Sequence, residues 1–289
     1  MNARYDMLVI DLDGTLLDRD GYVSTANRRA LDAARSGGLE VIIATGRAWV
    51  ESMTALRAIA HDGLLIAAGG SLLCDAATGH TVDRHVMPRD LVADVTSALL
   101  GHGHKVLILK DAHAAGYDYL AVGPGRLDPA SEWWFNTIPA KVRHVDGLHE
   151  DEHPDETVRA GVVASSAELT PIARDLQVAL GGRAFLQHWA AVTESEATGS
   201  STHLLEVFNP NVSKWTMIES ICQQRGIDRD RVAAIGDGLN DVEMIANAGL
   251  GVAMANADHR VMQAADRVTA RHDEDGVAAA IDRILTGEW

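Results

Sequence analysis

The chain has 289 residues, of which 47% are hydrophobic and seven are proline, a composition typical of globular proteins and not of disordered or fibrous ones. Its 41 acidic residues outnumber the 25 basic ones, and the formal charge of −16 argues against nucleic acid and anionic membranes as partners. The N-terminus has no apolar stretch of signal-peptide length, and GLLIAAGGSLL is too short to span a bilayer, so a cytoplasmic location is expected.

Short apolar runs without polar alternation recur along the chain and are typical of parallel strands buried on both faces. Residues 24–38 have helical periodicity with Ser24 as the candidate N-cap, and residues 47–63 form a similar helix before the third run. This alternation predicts β-α-β units. The apolar runs are 7–12, 40–46, 64–69, 231–238 and 249–254.

The β-α rhythm stops after the third run and returns near residue 209. In between, His, Asp and aromatic residues become frequent, and the stretches KVLILKD and WAAVTES indicate strands of a different sheet. We therefore predict an α/β fold with a doubly wound, Rossmann-like parallel sheet and an inserted α+β domain. The predicted core segments are 1–82 and 209–289, and the inserted domain is 83–208.

Polar side chains follow several predicted strands at their carboxyl ends, which is where open α/β sheets bind ligands. Asp11 and Asp13 follow the first strand, Thr45 follows the second, and Asp237 and Asp241 follow the strand after the insertion. Carboxylates that share one crevice repel each other unless a cation lies among them, and oxygen ligands favour Mg²⁺. The sequence therefore predicts a magnesium site.

Lys214 stands in the first turn of the predicted helix SKWTMIESICQQRG, where a cation opposes the helix dipole. A bound phosphate would compensate for this, because lysine is a usual phosphate partner. The alternative is a solvated surface lysine. Asn240 and Asp241 begin another helix, suit its dipole and lie at the same predicted sheet edge.

Four ordered motifs together resemble the haloacid dehalogenase-like superfamily: DLDGT, the threonine of ATGR, the lysine of NVSKW, and GDGLND. The stretches GVAMANA and HDEDGVAAAI further resemble its Cof-type subclass, whose members are magnesium-dependent phosphatases with an α/β cap inserted between the second and third motifs. Many of these relatives have an Asn-Gly pair where this chain has Gly69-Gly70. The departure leaves open any contact that the asparagine makes in those proteins.

The resemblance implies that Asp11 is the nucleophile that forms an aspartyl-phosphate, and that Asp13 acts first as acid and then as base. It implies that Thr45 and Lys214 hold phosphoryl oxygens. The implied catalytic residues are Asp11, Asp13, Thr45 and Lys214; the implied substrate-binding residues are Thr45, Gly46, Arg47, Lys214 and Asn240; the implied Mg²⁺ ligands are Asp11, Asp13, Asp237 and Asp241.

The expected function is therefore a Mg²⁺-dependent phosphatase that acts on small phosphorylated metabolites, with sugar phosphates as the first substrate class. Two alternatives stay open at this point. One is a phosphomutase with the same chemistry, and the other is a non-catalytic regulator that binds a phosphorylated metabolite. The expected partner is a small phosphorylated metabolite, and neither nucleic acid nor a membrane is expected as a partner.

Several other features receive no functional role. HEDEH, at 149–153, matches a zinc-protease pattern, but its glycine and proline flanks favour an acidic loop or a helix end. GHGH, at 101–104, favours a turn, and SEWWFNTIP, at 131–139, favours an aromatic core cluster over a substrate lid. Cys74 and Cys222 lie outside any C-x-x-C pattern and fit a reducing compartment.

Overall fold

The structure is a computed structural model, and it describes residues 4–190 and 202–289. The chain divides into two compact units. The first unit comprises Met1–Asp83 and Ser213–Trp289, and the second comprises Arg84–Val212. The predicted domain limits, after residues 82 and 208, stay predictions.

An eight-stranded sheet runs through the first unit. Its strands are β1 (Met7–Asp11), β2 (Glu40–Ala44), β3 (Leu64–Ala67), β4 (Leu72–Asp75), β5 (Thr81–Arg84), β12 (Val232–Gly236), β13 (Leu250–Ala253) and β14 (Arg267–Val268), numbered in chain order. They lie in the order β14-β13-β12-β1-β2-β3-β4-β5, parallel from β14 to β3, while β4 runs antiparallel to β3. All five predicted apolar runs form strands of this sheet, and β1 is buried along its whole length.

Six helices accompany this sheet in the described part of the first unit. They are α1 (Thr25–Ser36), α2 (Trp49–Ala58), α7 (Lys214–Arg225), α8 (Val242–Asn247), α9 (His259–Ala264) and α10 (Gly276–Thr286). Ser24 caps α1 as predicted, since its hydroxyl accepts a hydrogen bond from the backbone N–H of Asn27 at 3.0 Å. Buried residues of β1, β2 and α7 form one apolar cluster, which includes Val9, Ile42 and Ile218.

The second unit contains a six-stranded sheet in the order β10-β11-β9-β6-β7-β8, in which only the β7–β8 pair is parallel. The strands are β6 (Val106–Lys110), β7 (Tyr119–Val122), β8 (Val142–Val145), β9 (Thr157–Ser165), β10 (Phe185–Ala190) and β11 (Thr202–Phe208). The helices are α3 (Arg89–Gly101), α4 (Ala112–Ala115), α5 (Pro129–Thr137) and α6 (Ser166–Leu180). KVLILKD forms β6 as predicted. WAAVTES overlaps the end of β10, and its residues 191–195 lie outside the described residues.

The predicted α/β fold class is confirmed, with a mostly parallel sheet in the first unit and a mostly antiparallel sheet with helices in the second. Within the described residues, no helix is long and apolar enough to cross a bilayer.

HEDEH and the aromatic stretch SEWWFNTIP, which received no functional role, both lie in the second unit. In HEDEH, Leu148–Glu150 forms a single short turn, and Asp151 accepts a hydrogen bond from the fully buried Lys110 at 2.5 Å. The acidic segment therefore neutralises a buried cation. The aromatic stretch contributes residues 131–137 to α5, where Phe135 packs on Tyr119 with ring centroids 4.9 Å apart. Trp133, Trp134 and Phe135 are half-buried, so the preference for an aromatic core cluster over a substrate lid stays a prediction.

Candidate active site

The first unit brings the carboxyl ends of neighbouring parallel strands to one edge of its sheet. β1 lies between β12 and β2, so the residues that follow these three strands are adjacent. Asp11 is the last residue of β1, Thr45 follows β2, and Asp237 follows β12. This is the edge at which open α/β sheets bind ligands, and it is where the sequence predicted a site.

Lys214 connects two buried carboxylates at this edge. It is the first residue of α7 and has no exposed side-chain surface. Its Nζ donates to Asp11 Oδ1 at 2.6 Å and to Asp241 Oδ1 at 2.6 Å. The alternative of a solvated surface lysine is therefore wrong. The ammonium group is neutralised by two carboxylates, which explains how a cation can occupy the start of a helix.

The pKa values of the carboxylates in this cluster reflect burial first and the neighbouring negative charges second. Burial raises the pKa of Asp11 well above its ordinary value, and the nearby Asp241 raises it further although Lys214 lowers it. Burial lowers the pKa of Lys214, but the charges of Asp11 and Asp241 outweigh this and hold its pKa above the ordinary value. Burial also raises the pKa of Asp237, to about 6. One lysine thus compensates only part of the charge of three carboxylates.

Asp237 is oriented by the loop that follows β1. Thr15, which is fully buried, donates from Oγ1 to Asp237 Oδ1 at 2.8 Å. Gly14 has a left-handed backbone with a φ of 75°, and a Cβ atom there would overlap the Asp237 carboxylate. Glycine is required at this position both for the turn and for the close approach of Asp237.

Asp241 holds the turn that carries Asp237. It is fully buried, and its Oδ2 accepts hydrogen bonds from the backbone N–H groups of Asp237, at 3.0 Å, and Gly238, at 2.9 Å. Its Oδ1 accepts from Lys214. Both oxygens therefore have partners, and the role of Asp241 as a metal ligand stays a prediction. Asn240 is half-buried in the same turn, Leu239–Asp241.

The carboxylates fit a hard divalent cation. One oxygen from each of Asp11, Asp237 and Asp241 lies within 4.8 Å of the others. The donors are all oxygen, and the raised pKa values of Asp11 and Asp237 mark a charge that a bound cation would neutralise. The donor set matches Mg²⁺ better than zinc or copper, which favour nitrogen and sulfur.

A second group of predicted residues lies beside this cluster. Arg47 pairs with Asp13, and its backbone N–H donates to the fully buried Thr45 Oγ1 at 3.1 Å. Gly46 links Thr45 to Arg47. The charge of Asp13 contributes to the raised pKa of Asp11, so the two groups interact electrostatically. The structure thus joins Arg47, predicted as a substrate ligand, to the predicted acid.

The Gly69-Gly70 pair, which stands where many relatives have Asn-Gly, lies in a short turn, Ala68–Gly70. This turn contacts Thr45 and the residue before Lys214. Gly69 has a φ of 66°, a conformation that asparagine also tolerates, and its N–H donates to the Thr45 carbonyl at 3.0 Å. Gly70 has a φ of 106°, and a Cβ atom there would overlap the carbonyl of Ser213, directly before Lys214. The turn therefore positions both Thr45 and Lys214.

Three residues of this site received no role from the sequence: Thr15, Asn256 and His272. Each lies in a stretch that carries the family resemblance, DLDGT, GVAMANA or HDEDGVAAAI. Asn256 Nδ2 donates to the Gly14 carbonyl at 2.8 Å, and Asn256 Oδ1 accepts from His272 N at 2.9 Å. The motifs identified the segments, whereas the contacts depend on how distant segments pack.

Comparison with known proteins identifies the family of the chain. The family model for haloacid dehalogenase-like hydrolases matches residues 8–281. The chain belongs to this family. The predicted resemblance to haloacid dehalogenase-like hydrolases, including their Cof-type subclass, is confirmed. Phosphatases of this family generally use Mg²⁺ and an aspartyl-phosphate intermediate.

Individual haloacid dehalogenase-like proteins are similar over nearly their whole length. The 5-amino-6-(5-phospho-D-ribitylamino)uracil phosphatase YcsE of Bacillus subtilis is 28% identical and is matched over 95% of this chain and 94% of its own. The phosphoglycolate phosphatase of Methanothermobacter thermautotrophicus is 28% identical, over 96% and 98%. The crystal structure of a haloacid dehalogenase-like hydrolase from Bacteroides thetaiotaomicron has a TM-score of 0.78 and 27% identity, over 97% and 99%.

Proposed function

We propose that this protein is a Mg²⁺-dependent phosphatase that hydrolyses small phosphorylated metabolites through an aspartyl-phosphate on Asp11. The observation that carries the proposal is the pairing of buried Lys214 with Asp11 at 2.6 Å, beside Asp237. The similar proteins from Bacillus subtilis and Methanothermobacter thermautotrophicus are named as phosphatases of two different phosphorylated compounds. Sugar phosphates are the substrate class that we would test first.

In the first half-reaction, a carboxylate oxygen of Asp11 attacks phosphorus. The bond between phosphorus and the ester oxygen breaks, and Asp13 gives its proton to the departing alkoxide. Lys214 holds Asp11 Oδ1 and thereby orients the carboxylate for attack. Thr45, Gly46, Arg47 and Asn240 are the further residues that we assign to substrate binding.

In the second half-reaction, Asp13 removes a proton from a water molecule, and that water attacks the same phosphorus atom. The bond from phosphorus to Asp11 breaks, which releases inorganic phosphate and restores Asp11 as a carboxylate, while Asp13 keeps the proton taken from water and is again a carboxylic acid. Asp13 suits both steps because its side chain is 43% exposed, so that it can reach a leaving group and then water.

We assign metal binding to Asp11, Asp13, Asp237 and Asp241. Bound there, Mg²⁺ would supply positive charge to the transferring phosphoryl group. The same side chains would otherwise repel an anionic substrate. A cytoplasmic location belongs to this proposal as well. So does the absence of nucleic-acid partners, which the acidic composition supports.

The test is a panel of phosphorylated metabolites assayed for release of inorganic phosphate, with Mg²⁺ and with a chelator. We expect Mg²⁺-dependent release, and a loss of at least about 1,000-fold in kcat for Asp11→Asn, because a covalent nucleophile is lost. Exposed Asp62 provides the matched control, and Asp62→Asn should retain full turnover.

Two results would overturn the proposal. Turnover by Asp11→Asn at the wild-type rate would exclude Asp11 as the nucleophile. A failure of every compound to release phosphate would favour the phosphometabolite-binding regulator, whose output would survive Asp11→Asn. Phosphate transfer within a sugar bisphosphate, without release of inorganic phosphate, would instead indicate the phosphomutase.

A further inference from the structure

Asn256 lies between the loop that follows β1 and the carboxylate of Asp237. Its amide nitrogen, Nδ2, donates to the carbonyl of Gly14 at 2.8 Å and to Asp237 Oδ2 at 3.3 Å. Its amide oxygen, Oδ1, accepts from the backbone N–H of His272 at 2.9 Å. The three hydrogen bonds of this one side chain thus join three segments that are far apart in the sequence.

The backbone around Asn256 also holds the turn that carries Asp237. The N–H of Met254 donates to the Gly236 carbonyl at 3.0 Å, and the N–H of Asp258 donates to the Asp237 carbonyl at 3.1 Å. Thr15 donates to Asp237 Oδ1 and Asn256 donates to Asp237 Oδ2, so each carboxylate oxygen of Asp237 accepts a hydrogen bond from a different side chain. The orientation of this carboxylate is therefore fixed by neutral groups.

His272 connects Asn256 to a C-terminal segment that contacts the loop after β1. His272 Nδ1 donates to the Leu17 carbonyl at 3.0 Å. Further along, Asp273 pairs with Arg19 at 3.4 Å, and the Asp275 carboxylate accepts from the hydroxyl of Ser24. The segment 272–275 thus holds the loop 14–24 at several points, and Asn256 lies where this arrangement meets Asp237.

We propose that Asn256 is a positioning residue that fixes Asp237 against the loop after β1 and thereby sets the affinity of the acidic cluster for a divalent cation. The inference rests on the proposed function in that it treats Asp237 as a metal ligand. An amide is suited to this role because it donates to a carboxylate without supplying positive charge, which would offset the negative charge that attracts a cation. Partners of metal ligands are typically worth about 10- to 100-fold in metal affinity.

The test measures binding of Mn²⁺ to the full-length protein without substrate, by titration of the free-ion electron paramagnetic resonance signal. We expect Asn256→Ala to weaken Mn²⁺ binding by about 10- to 100-fold, because Asp237 loses one of its two side-chain donors. Asn256→Ser makes a smaller change at this half-buried position and should weaken binding in the same direction. In phosphatase assays, added Mg²⁺ should restore most of the kcat.

Asn27 is an asparagine with a structural role and offers a matched control for Asn256. It is buried, and its Oδ1 accepts from the backbone N–H of Ala278 at 3.0 Å. Asn27→Ala should lower the melting temperature and leave the Mn²⁺ affinity unchanged. Wild-type affinity in both Asn256 variants, or an equal loss in Asn27→Ala, would overturn the inference. Because no substrate is used, these outcomes are distinguishable from a failure of the phosphatase proposal.

Discussion

The guanidinium group of Arg47 donates two parallel hydrogen bonds to the carboxylate of Asp13, from Nε to Oδ2 at 2.9 Å and from Nη2 to Oδ1. The arginine is the more buried partner, with 22% of its side chain exposed against 43% for Asp13. Its backbone is held by Thr45. Arg47 therefore fixes the carboxylate that we propose as acid and base.

Arg47→Lys tests this relationship. A lysine keeps the charge but cannot form the planar two-point contact, so Asp13 becomes less well oriented. We expect kcat/KM for phosphate release to fall by about 10- to 100-fold, because displacing a catalytic group by 1 Å can cost about 100-fold. Steady-state kinetics on the best substrate of the panel measures the effect.

The control for this substitution is Arg57→Lys. Arg57 is exposed in the last turn of α2, and its replacement should leave kcat/KM unchanged. An unchanged kcat/KM in Arg47→Lys would mean that the two-point contact to Asp13 is not needed for turnover.

The raised pKa of Asp237 predicts how stability depends on pH in metal-free protein. The folded-state pKa of about 6 lies above the ordinary 3.8, so the stability that Asp237 contributes is present at pH 4 and is lost as the pH rises to about 6. Asp237→Asn should therefore be more stable than wild type at pH 7, by at most about 3 kcal/mol, and should lose this advantage at pH 4.

Urea unfolding in the presence of a chelator, at pH 4 and pH 7, gives these free energies of unfolding. Adding Mg²⁺ at pH 7 should stabilise the wild type and not Asp237→Asn, since the cation supplies the compensating charge. A stability difference that stayed constant between the two pH values would contradict the raised pKa.

Gly70→Ala tests whether the turn Ala68–Gly70, which contacts the residue before α7, positions Lys214. A methyl group at this residue would overlap the Ser213 carbonyl, and the φ of 106° is strained for alanine. We expect α7 to shift and kcat/KM to fall at least about 10-fold, because Lys214 moves relative to Asp11.

Gly38→Ala is the control that distinguishes backbone strain from steric overlap of the added methyl group. Gly38 also has a positive φ, of 89°, but a Cβ atom there has no heavy atom within 4 Å. This variant should lose some thermal stability and retain wild-type kcat/KM. If both variants kept full turnover, contact between Gly70 and Ser213 would have no part in placing Lys214.

The sequence predicted the central strands and the residues at their ends, because buried parallel strands are continuous apolar runs and polar residues directly after them stand out. Asp11, Thr45 and Asp237 were found in this way. β5 and β14 were not predicted, because β5 (TVDR) is only partly buried and the two residues of β14 are exposed. No apolar pattern marks such strands.

The contacts of the site could not be predicted in the same way. Arg47 was assigned to substrate by its place after Thr45, and nothing in local spacing indicates that it pairs with Asp13 across 34 positions of the chain. Asn256 and Gly14 are 242 positions apart. Such pairs follow from the packing of whole strands and loops, whereas motifs identify only their members.

The bond between Lys214 and Asp11 spans 203 positions, and this separation has a consequence for the protein during its synthesis. A ribosome that adds about 5–20 residues per second makes Lys214 roughly 10–40 s after Asp11. Over that interval the nascent chain has β1 and β2 but lacks β12, which pairs with the other edge of β1. The central strand of the sheet therefore acquires its second neighbour, and its aspartate acquires a counterion, only when translation is nearly finished.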